Sequence, residues 1–166
     1  MGYRIRETDS FVGTDPTLAR AAWDEDLLAS EDLIDFAVRC LQRGVDSPSL
    51  ASLAGLPRSG AAHDAVALLD LAIDELDLTR IDRHGLGVRL LRFHAQTIVD
   101  GAVSPQQGCR VIHWTFLQSD PQCPEYMREF CLLDDEYGAR DDGYATQPNL
   151  DDRVLEAARR AVAAAL

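Results

Sequence analysis

The chain has 166 residues, and 28 acidic against 16 basic side chains give it a net charge of −12. All of the basic residues are arginine, for which codon usage in a GC-rich genome is the ordinary cause. Without lysine the chain lacks the ammonium group that phosphate-binding loops, protein kinases and Schiff-base enzymes require. The negative charge disfavours nucleic acids and anionic membranes as partners and favours a basic protein surface.

The length and hydropathy of the chain are typical of one soluble domain that buries a core of its own. No apolar run reaches the roughly 18 residues of a membrane span, and no apolar stretch follows the N-terminal arginines. We therefore expect a cytoplasmic protein. Because a domain of this size in a reducing cytosol does not need disulfides, the cysteines are expected to be free thiols, namely Cys40, Cys109, Cys123 and Cys131.

Helix start and stop signals recur along the chain and predict an all-α fold, an irregular bundle of about seven helices. An N-cap residue followed by proline begins three of them, at Asp15-Pro16, Ser47-Pro48 and Ser104-Pro105. The predicted helices cover 16 to about 29, 30–43, 49–54, 62–76, 85–100, a stretch from 105, 124 to about 135, and a last stretch from about 149. A polar loop is predicted over 138–148.

The sequence predicts an N-terminal arm followed by one domain. Residues 1–13 are expected to form an N-terminal arm, either a disordered segment or a short strand that includes Tyr3, Ile5 and Phe11-Val12. Residues 14–166 are expected to form a single helical domain.

The segment GAVSPQQGCRVIHWTF, residues 101–116, bears most directly on function. With Pro105 in the first turn of its helix, four side chains fall at helical spacing and share one face, namely Cys109, Ile112, His113 and Phe116. Because cysteine is among the most buried residue types, this face is expected to pack inward. His94 lies on the apolar face of its own helix and is expected at the edge of the core.

The functional alternative for the same face is a metal site. Cys109 and His113 at i, i+4 can both reach one Zn²⁺, and Cys123 and Cys131 downstream could complete four ligands. A thiol nucleophile at Cys109 would need exposure and a lowered pKa, which an inward position opposes. No established catalytic signature occurs in the sequence, and we predict neither a cofactor nor a catalytic residue.

Acidic clusters at several places in the chain predict a surface for docking a basic partner. Each cluster alone is typical of a solvated surface, although paired carboxylates also serve as acid and base or hold Mg²⁺. Trp23, framed by alanines and acids, is predicted as an aromatic contact, whereas Trp114 is expected to lie partly in the core. The predicted partner-binding residues are Trp23, Asp24, Glu25, Asp26, Asp134, Asp135, Glu136, Asp141 and Asp142.

Two segments, ASLAGLPRSGAAHDAVALLDLAIDELDL and LLRFHAQTIVDGAVSPQQGCRVIHW, resemble a loose group of small, uncharacterised, acidic helical proteins of bacteria. The resemblance covers about residues 33 to 118. It rests on SPSL-x-x-LAGL at residues 47–56 and DG-x-(I/V)-SP-x-x-G at residues 100–108. Such proteins are similar in build to immunity proteins, and the resemblance therefore implies an inhibitor-like role.

Three hypotheses of function follow from the sequence. The favoured one is a non-enzymatic interaction protein, of the immunity or inhibitor kind, that binds a basic protein through an acidic helical surface. The second is a small metalloprotein or helical enzyme that uses the cysteine and histidine set or the carboxylates near Asp134. The third is an accessory subunit whose role is packing within a larger assembly.

Overall fold

The computed structural model describes residues 11–58, 62–117, 127–144 and 148–164, with the side chains of 62 and 115–117 left out. Within these ranges the chain forms eight α-helices and no β-strand, which confirms the all-α prediction. The helices are α1 Pro16–Asp24, α2 Ser30–Gln42, α3 Pro48–Ala54, α4 Ala62–Glu75, α5 Arg83–Val99, α6 Pro105–Leu117, α7 Arg128–Asp141 and α8 Leu150–Ala163. No helix in the described ranges is long and apolar enough to cross a bilayer.

The chain divides into two compact units, Met1–Leu86 and Gly87–Leu166, and the division falls inside α5. No observation tests the single domain expected over residues 14–166, which stays a prediction. Of the N-terminal arm, Tyr3 and Ile5 lie outside the described residues. Phe11 is helical, Val12 lies in a turn, and both are buried, so the strand predicted at Phe11-Val12 is wrong.

In the first unit α3 packs against α2 and α4, and α1 and α2 also contact α4. Two of the predicted N-caps begin helices here. Asp15 Oδ1 accepts hydrogen bonds from the amides of Thr17 and Leu18 at 3.0 and 3.2 Å, and Ser47 Oγ accepts from the amide of Leu50 at 3.0 Å. These bonds satisfy amides that the first turn of a helix leaves without partners.

In the second unit α6, α7 and α8 contact one another pairwise, and apolar side chains of α5 join the core that they form. Ser104 caps α6, because its Oγ accepts a hydrogen bond from the amide of Gln107 at 3.2 Å. The fully buried core side chains include Ile112, Met127 and Val154. The buried apolar area of these helices holds α6 and α7 side by side.

Two helices end several residues away from the predicted position. Helix α1 ends at Asp24 instead of near Ala29, because Asp26 takes a left-handed conformation with φ +56° that breaks the helix. Helix α7 continues to Asp141 instead of ending near Asp135, so the first residues of the predicted polar loop are helical. Tyr137 lies in this extension and is fully buried in the core. Because its burial fixes the backbone at this point, the following turn continues the helix.

Candidate functional site

The second unit has an open cleft of about 650 Å³ between the outer faces of α6 and α7. We call it the α6–α7 cleft. It is lined by Arg110, His113, Trp114, Asp134, Asp135, Gly138, Ala139, Asp142 and Tyr144. Each helix presents side chains at i, i+3 and i+4 spacing, which places them on one face.

Two contacts of the core fix the register of the helices that carry the cleft. The thiol of Cys109 donates a hydrogen bond to the carbonyl oxygen of Phe130 at 3.1 Å, and this contact ties α6 to α7. The hydroxyl of Tyr137 donates to Asp151 Oδ1 at 2.7 Å and ties α7 to α8. Burial raises the pKa of the Tyr137 hydroxyl, so it stays a donor at neutral pH.

At the floor of the cleft His113 pairs with Asp134. The distance between His113 Nδ1 and Asp134 Oδ2 is 2.8 Å, and the two side chains are only 13% and 8% exposed. A carboxylate accepts, so Nδ1 carries the proton of this hydrogen bond and Nε2 is left as the second polar atom of the ring. The pair spans α6 and α7 and fixes the imidazole in one orientation.

The second oxygen of Asp134 is less well satisfied. Asp134 Oδ1 is buried and has no hydrogen-bond partner among the described residues. The nearest guanidinium nitrogen, Arg110 Nε, lies 3.6 Å away, which suffices for an ion pair but is too long for an N–H···O hydrogen bond. The Arg110 side chain itself is 52% exposed.

The walls of the cleft combine exposed aromatic and acidic side chains. Trp114 is 52% exposed and Tyr144 is 71% exposed, and Trp114 is absent from the core cluster of this unit, so the expectation that it lies partly in the core is wrong. Asp135 and Asp142 are also exposed, and neither makes an ion pair or a side-chain hydrogen bond with another residue that the structure describes. Helix α6 turns Trp114 outward because Cys109 and Ile112 occupy its buried face.

The acidic cluster of α7 does not behave as one solvated surface. Asp134 faces inward, Glu136 pairs with Arg153 at 2.6 Å, and Asp141 accepts a hydrogen bond from Gln106 Nε2 at 3.0 Å. Of the five predicted contact residues in this segment, the structure places Asp134, Asp135 and Asp142 at the cleft and leaves Glu136 and Asp141 outside it.

The predicted contact residues of the first unit are largely engaged. Trp23 is half-buried, Asp24 pairs with Arg20, and Glu25 pairs with Arg83 at 3.1 Å. Asp26 is exposed at the end of α1. The charges of Asp24 and Glu25 are therefore partly neutralised by neighbours of opposite sign.

The cysteine and histidine set predicted as the alternative metal site does not assemble in the described part of the chain. Cys109 is fully buried, and burial together with the charges of Asp134 and Asp135 raises its pKa to about 12, which excludes a reactive thiolate. Cys131 is disulfide-bonded, so the prediction of a free thiol is wrong there. Cys40 and Cys109 are free, and Cys123 lies outside the described residues. No three or more His, Cys, Asp or Glu side chains among the described residues are placed so that they could hold one metal ion.

Several residues of the cleft were not predicted as contacts, namely Arg110, His113, Trp114 and Tyr144. The sequence holds one signal for the α7 side, since residues 135, 138, 139 and 142 share a helical face. That signal was hidden because the helix was predicted to end near 135. The inward face of α6 was predicted correctly for Cys109 and Ile112, and the side chain of Phe116 lies outside the described part.

Comparison with known proteins adds no assignment. No protein-family model, no curated protein and no solved structure matches the chain.

Proposed function

We propose that this protein is a non-enzymatic interaction protein that binds a basic protein partner through the α6–α7 cleft. One observation carries the proposal: Asp135 and Asp142, exposed and without ion pairs among the described residues, stand beside the exposed rings of Trp114 and Tyr144. Exposed aromatic side chains are enriched at the centres of protein interfaces, and unpaired carboxylates attract a basic partner.

The rest of the chain supports the same class of partner. The net charge of −12 speeds the approach of a basic protein and repels nucleic acid and anionic membranes. The resemblance to immunity proteins in build adds an inhibitor-like role to the proposal. The Trp23–Asp26 segment is a lesser candidate, because two of its acids already have arginine partners.

The test compares two variants that remove the same charge from different places. Asp135→Asn with Asp142→Asn removes two charges from the cleft, and Asp64→Asn with Asp152→Asn removes two exposed charges outside it. Each tagged protein is used to capture partners from a lysate of the native host at low salt, and bound protein is released by increasing NaCl. We expect one basic protein on the wild type and on the outside variant but not on the cleft variant. Equal capture by both variants, or no capture by the wild type, would contradict the proposal.

A second candidate function is hydrolysis, because the oriented imidazole of His113 at the floor of an open cleft is the arrangement of a general base. The pair with Asp134 would hold the ring while Nε2 takes a proton from water. The test is hydrolysis of a chromogenic ester by the wild type, His113→Asn and a control with exposed His63→Asn. A rate that His113→Asn alone abolishes would establish the enzyme, and equal rates in the three proteins would support the binding role.

A cytoplasmic location is also part of the proposal. The lack of a membrane-spanning apolar run in the sequence supports it. The disulfide bond of Cys131 is the observation against it, since disulfides are rare in reducing compartments. The test is to alkylate free thiols in the native host before lysis and to analyse the Cys131 peptide by mass spectrometry. An alkylated Cys131 supports a cytoplasmic location, and a Cys131 protected from alkylation contradicts it.

A further inference from the structure

The charge of the α6–α7 cleft favours a cation. Among the described residues that line it, three carboxylates, those of Asp134, Asp135 and Asp142, stand against one guanidinium, that of Arg110. Two of the exposed side chains that line it, Trp114 and Tyr144, are aromatic. Aromatic faces attract cations, and the attraction adds to that of nearby carboxylates.

The buried carboxylate of Asp134 separates this cleft from an ordinary acidic surface. Its side chain is 8% exposed, and its Oδ1 atom has no hydrogen bond among the described residues. Buried carboxylate oxygens usually accept at least one hydrogen bond. Arg110 lies near enough to shield the charge, but with Nε 3.6 Å away it leaves the acceptor unfilled. The cleft wall therefore contains an acceptor that a donor-rich cation can complete once the half-exposed Arg110 side chain moves aside.

Resting on the proposed function, we infer that the cleft holds one arginine side chain of the basic partner. The planar guanidinium of that residue stacks on Trp114, pairs with Asp135 and Asp142, and competes with Arg110 for Asp134. Arginine suits the site better than lysine because only a planar, forked cation both stacks on a ring and donates in pairs to carboxylates. The arginine-only composition of this chain points the same way, since a partner from the same genome shares its codon usage.

The test uses the full-length protein and small probes in place of the partner. The indole N–H resonance of Trp114, assigned by its loss in Trp114→Phe, is followed by NMR during titration with N-acetyl-arginine amide. N-acetyl-citrulline amide, which has the same shape without the charge, is the matched control, and N-acetyl-lysine amide tests the choice of cation. We expect arginine amide to bind about fivefold more tightly than either other probe, because they lack the charge or the planar fork.

Variants of the cleft test whether binding of arginine amide strengthens or weakens as charges are removed. The cleft variant Asp135→Asn with Asp142→Asn weakens binding of arginine amide, and the outside variant Asp64→Asn with Asp152→Asn leaves it unchanged. Arg110→Met strengthens binding, since it removes a like charge and a competitor for Asp134. Weaker binding in Arg110→Met would mean that Arg110 does not compete with the bound guanidinium, and equal shifts with citrulline amide would mean that the cleft does not distinguish a charged probe from a neutral one. Either result overturns the inference.

The two experiments separate the inference from the function on which it rests. Suppose that a basic protein is captured through the cleft carboxylates but that the cleft shows no preference for arginine amide. This result contradicts the arginine site and supports the binding function. A clear preference for arginine amide without a partner in the lysate keeps the site and contradicts the proposed partner.

Discussion

His94 is a buried ionisable side chain that forms no ion pair with another residue that the structure describes. It is 5% exposed, its Nε2 atom has no hydrogen-bond partner among the described residues, and its ring meets that of Phe93 edge-on at 5.3 Å between centroids. Burial lowers its pKa from 6.5 to about 4, because desolvation disfavours the imidazolium. The position agrees with the expectation of a histidine on an apolar helix face.

This burial makes stability depend on pH in a defined direction. The folded state keeps His94 neutral down to pH 4, whereas the unfolded chain takes up a proton near its ordinary pKa, so stability is lost as the pH falls below about 6.5. Between pH 7 and pH 5 we expect a loss of about 2 kcal/mol from this group. His94→Leu removes the titration and the unsatisfied nitrogen, and urea unfolding at both pH values measures the difference.

The exposed His63 supplies the control for this prediction. His63→Gln should lose as much stability between pH 7 and pH 5 as the wild type does, because it leaves His94 in place. If His94→Leu loses as much stability between pH 7 and pH 5 as the wild type does, His94 is not the group responsible.

Sequence patterns predict which side chains of a helix are buried, but they do not predict which side chains of two different helices meet. The burial of Cys109, Ile112 and His94 follows from helical spacing within one segment. The pairing of His113 with Asp134, 21 positions apart, depends on how α6 and α7 pack, and no local pattern records that packing. Trp114 shows the same limit: it neighbours the inward face in sequence but points to the cleft.

At the scale of helices the close approach of α5 and α6 depends on Gly108. A Cβ at Gly108 would stand 2.3 Å from Ile98 Cγ1 and 2.7 Å from Ile98 Cδ1. Ile98 is buried in the core of the second unit, so it has little room to move. The last glycine of the DG-x-(I/V)-SP-x-x-G stretch, Gly108, thus allows α5 and α6 to pack closely.

Two glycine-to-alanine substitutions test this packing as a matched pair. Both replace a helical glycine and so gain about 1 kcal/mol of helix propensity. In Gly138→Ala the new methyl group has no described atom within 4 Å beyond its chain neighbours and its own helix backbone, so this variant should stabilise the protein. Gly108→Ala should destabilise it by about 1–3 kcal/mol, because the clash with Ile98 outweighs the gain. Unfolding in guanidinium chloride measures both, and a Gly108→Ala protein as stable as Gly138→Ala would contradict the packing role.

Some helix boundaries have local causes and others depend on contacts between helices. The starts at Asp15, Ser47 and Ser104 were predictable, because each cap bonds amides two or three residues further along. The continuation of α7 past Asp135 was not, because the buried Tyr137 hydroxyl and its partner Asp151 belong to different helices. The α6–α7 cleft lies beside this extension. The sequence did not predict the cleft because it did not predict the last turn of α7.

For the whole molecule the dominant quantity is the net charge of −12. Like charges repel in the compact state, while the ion pairs of the described surface, such as Arg20 with Asp70 at 3.0 Å, attract. Salt weakens both effects. Exposed ion pairs contribute little each, so the repulsion among twelve excess negative charges should be the larger effect.

We therefore expect salt to stabilise this protein. Raising NaCl from about 0.01 M to about 0.3 M should raise the melting temperature by a few degrees, because the Debye length falls below the spacing of most surface charges. The outside variant Asp64→Asn with Asp152→Asn, which carries two fewer negative charges, should show a smaller rise. A melting temperature that falls with salt would mean that the ion pairs outweigh the repulsion. The same repulsion is what a basic partner would relieve, so a bound partner should diminish the response to salt.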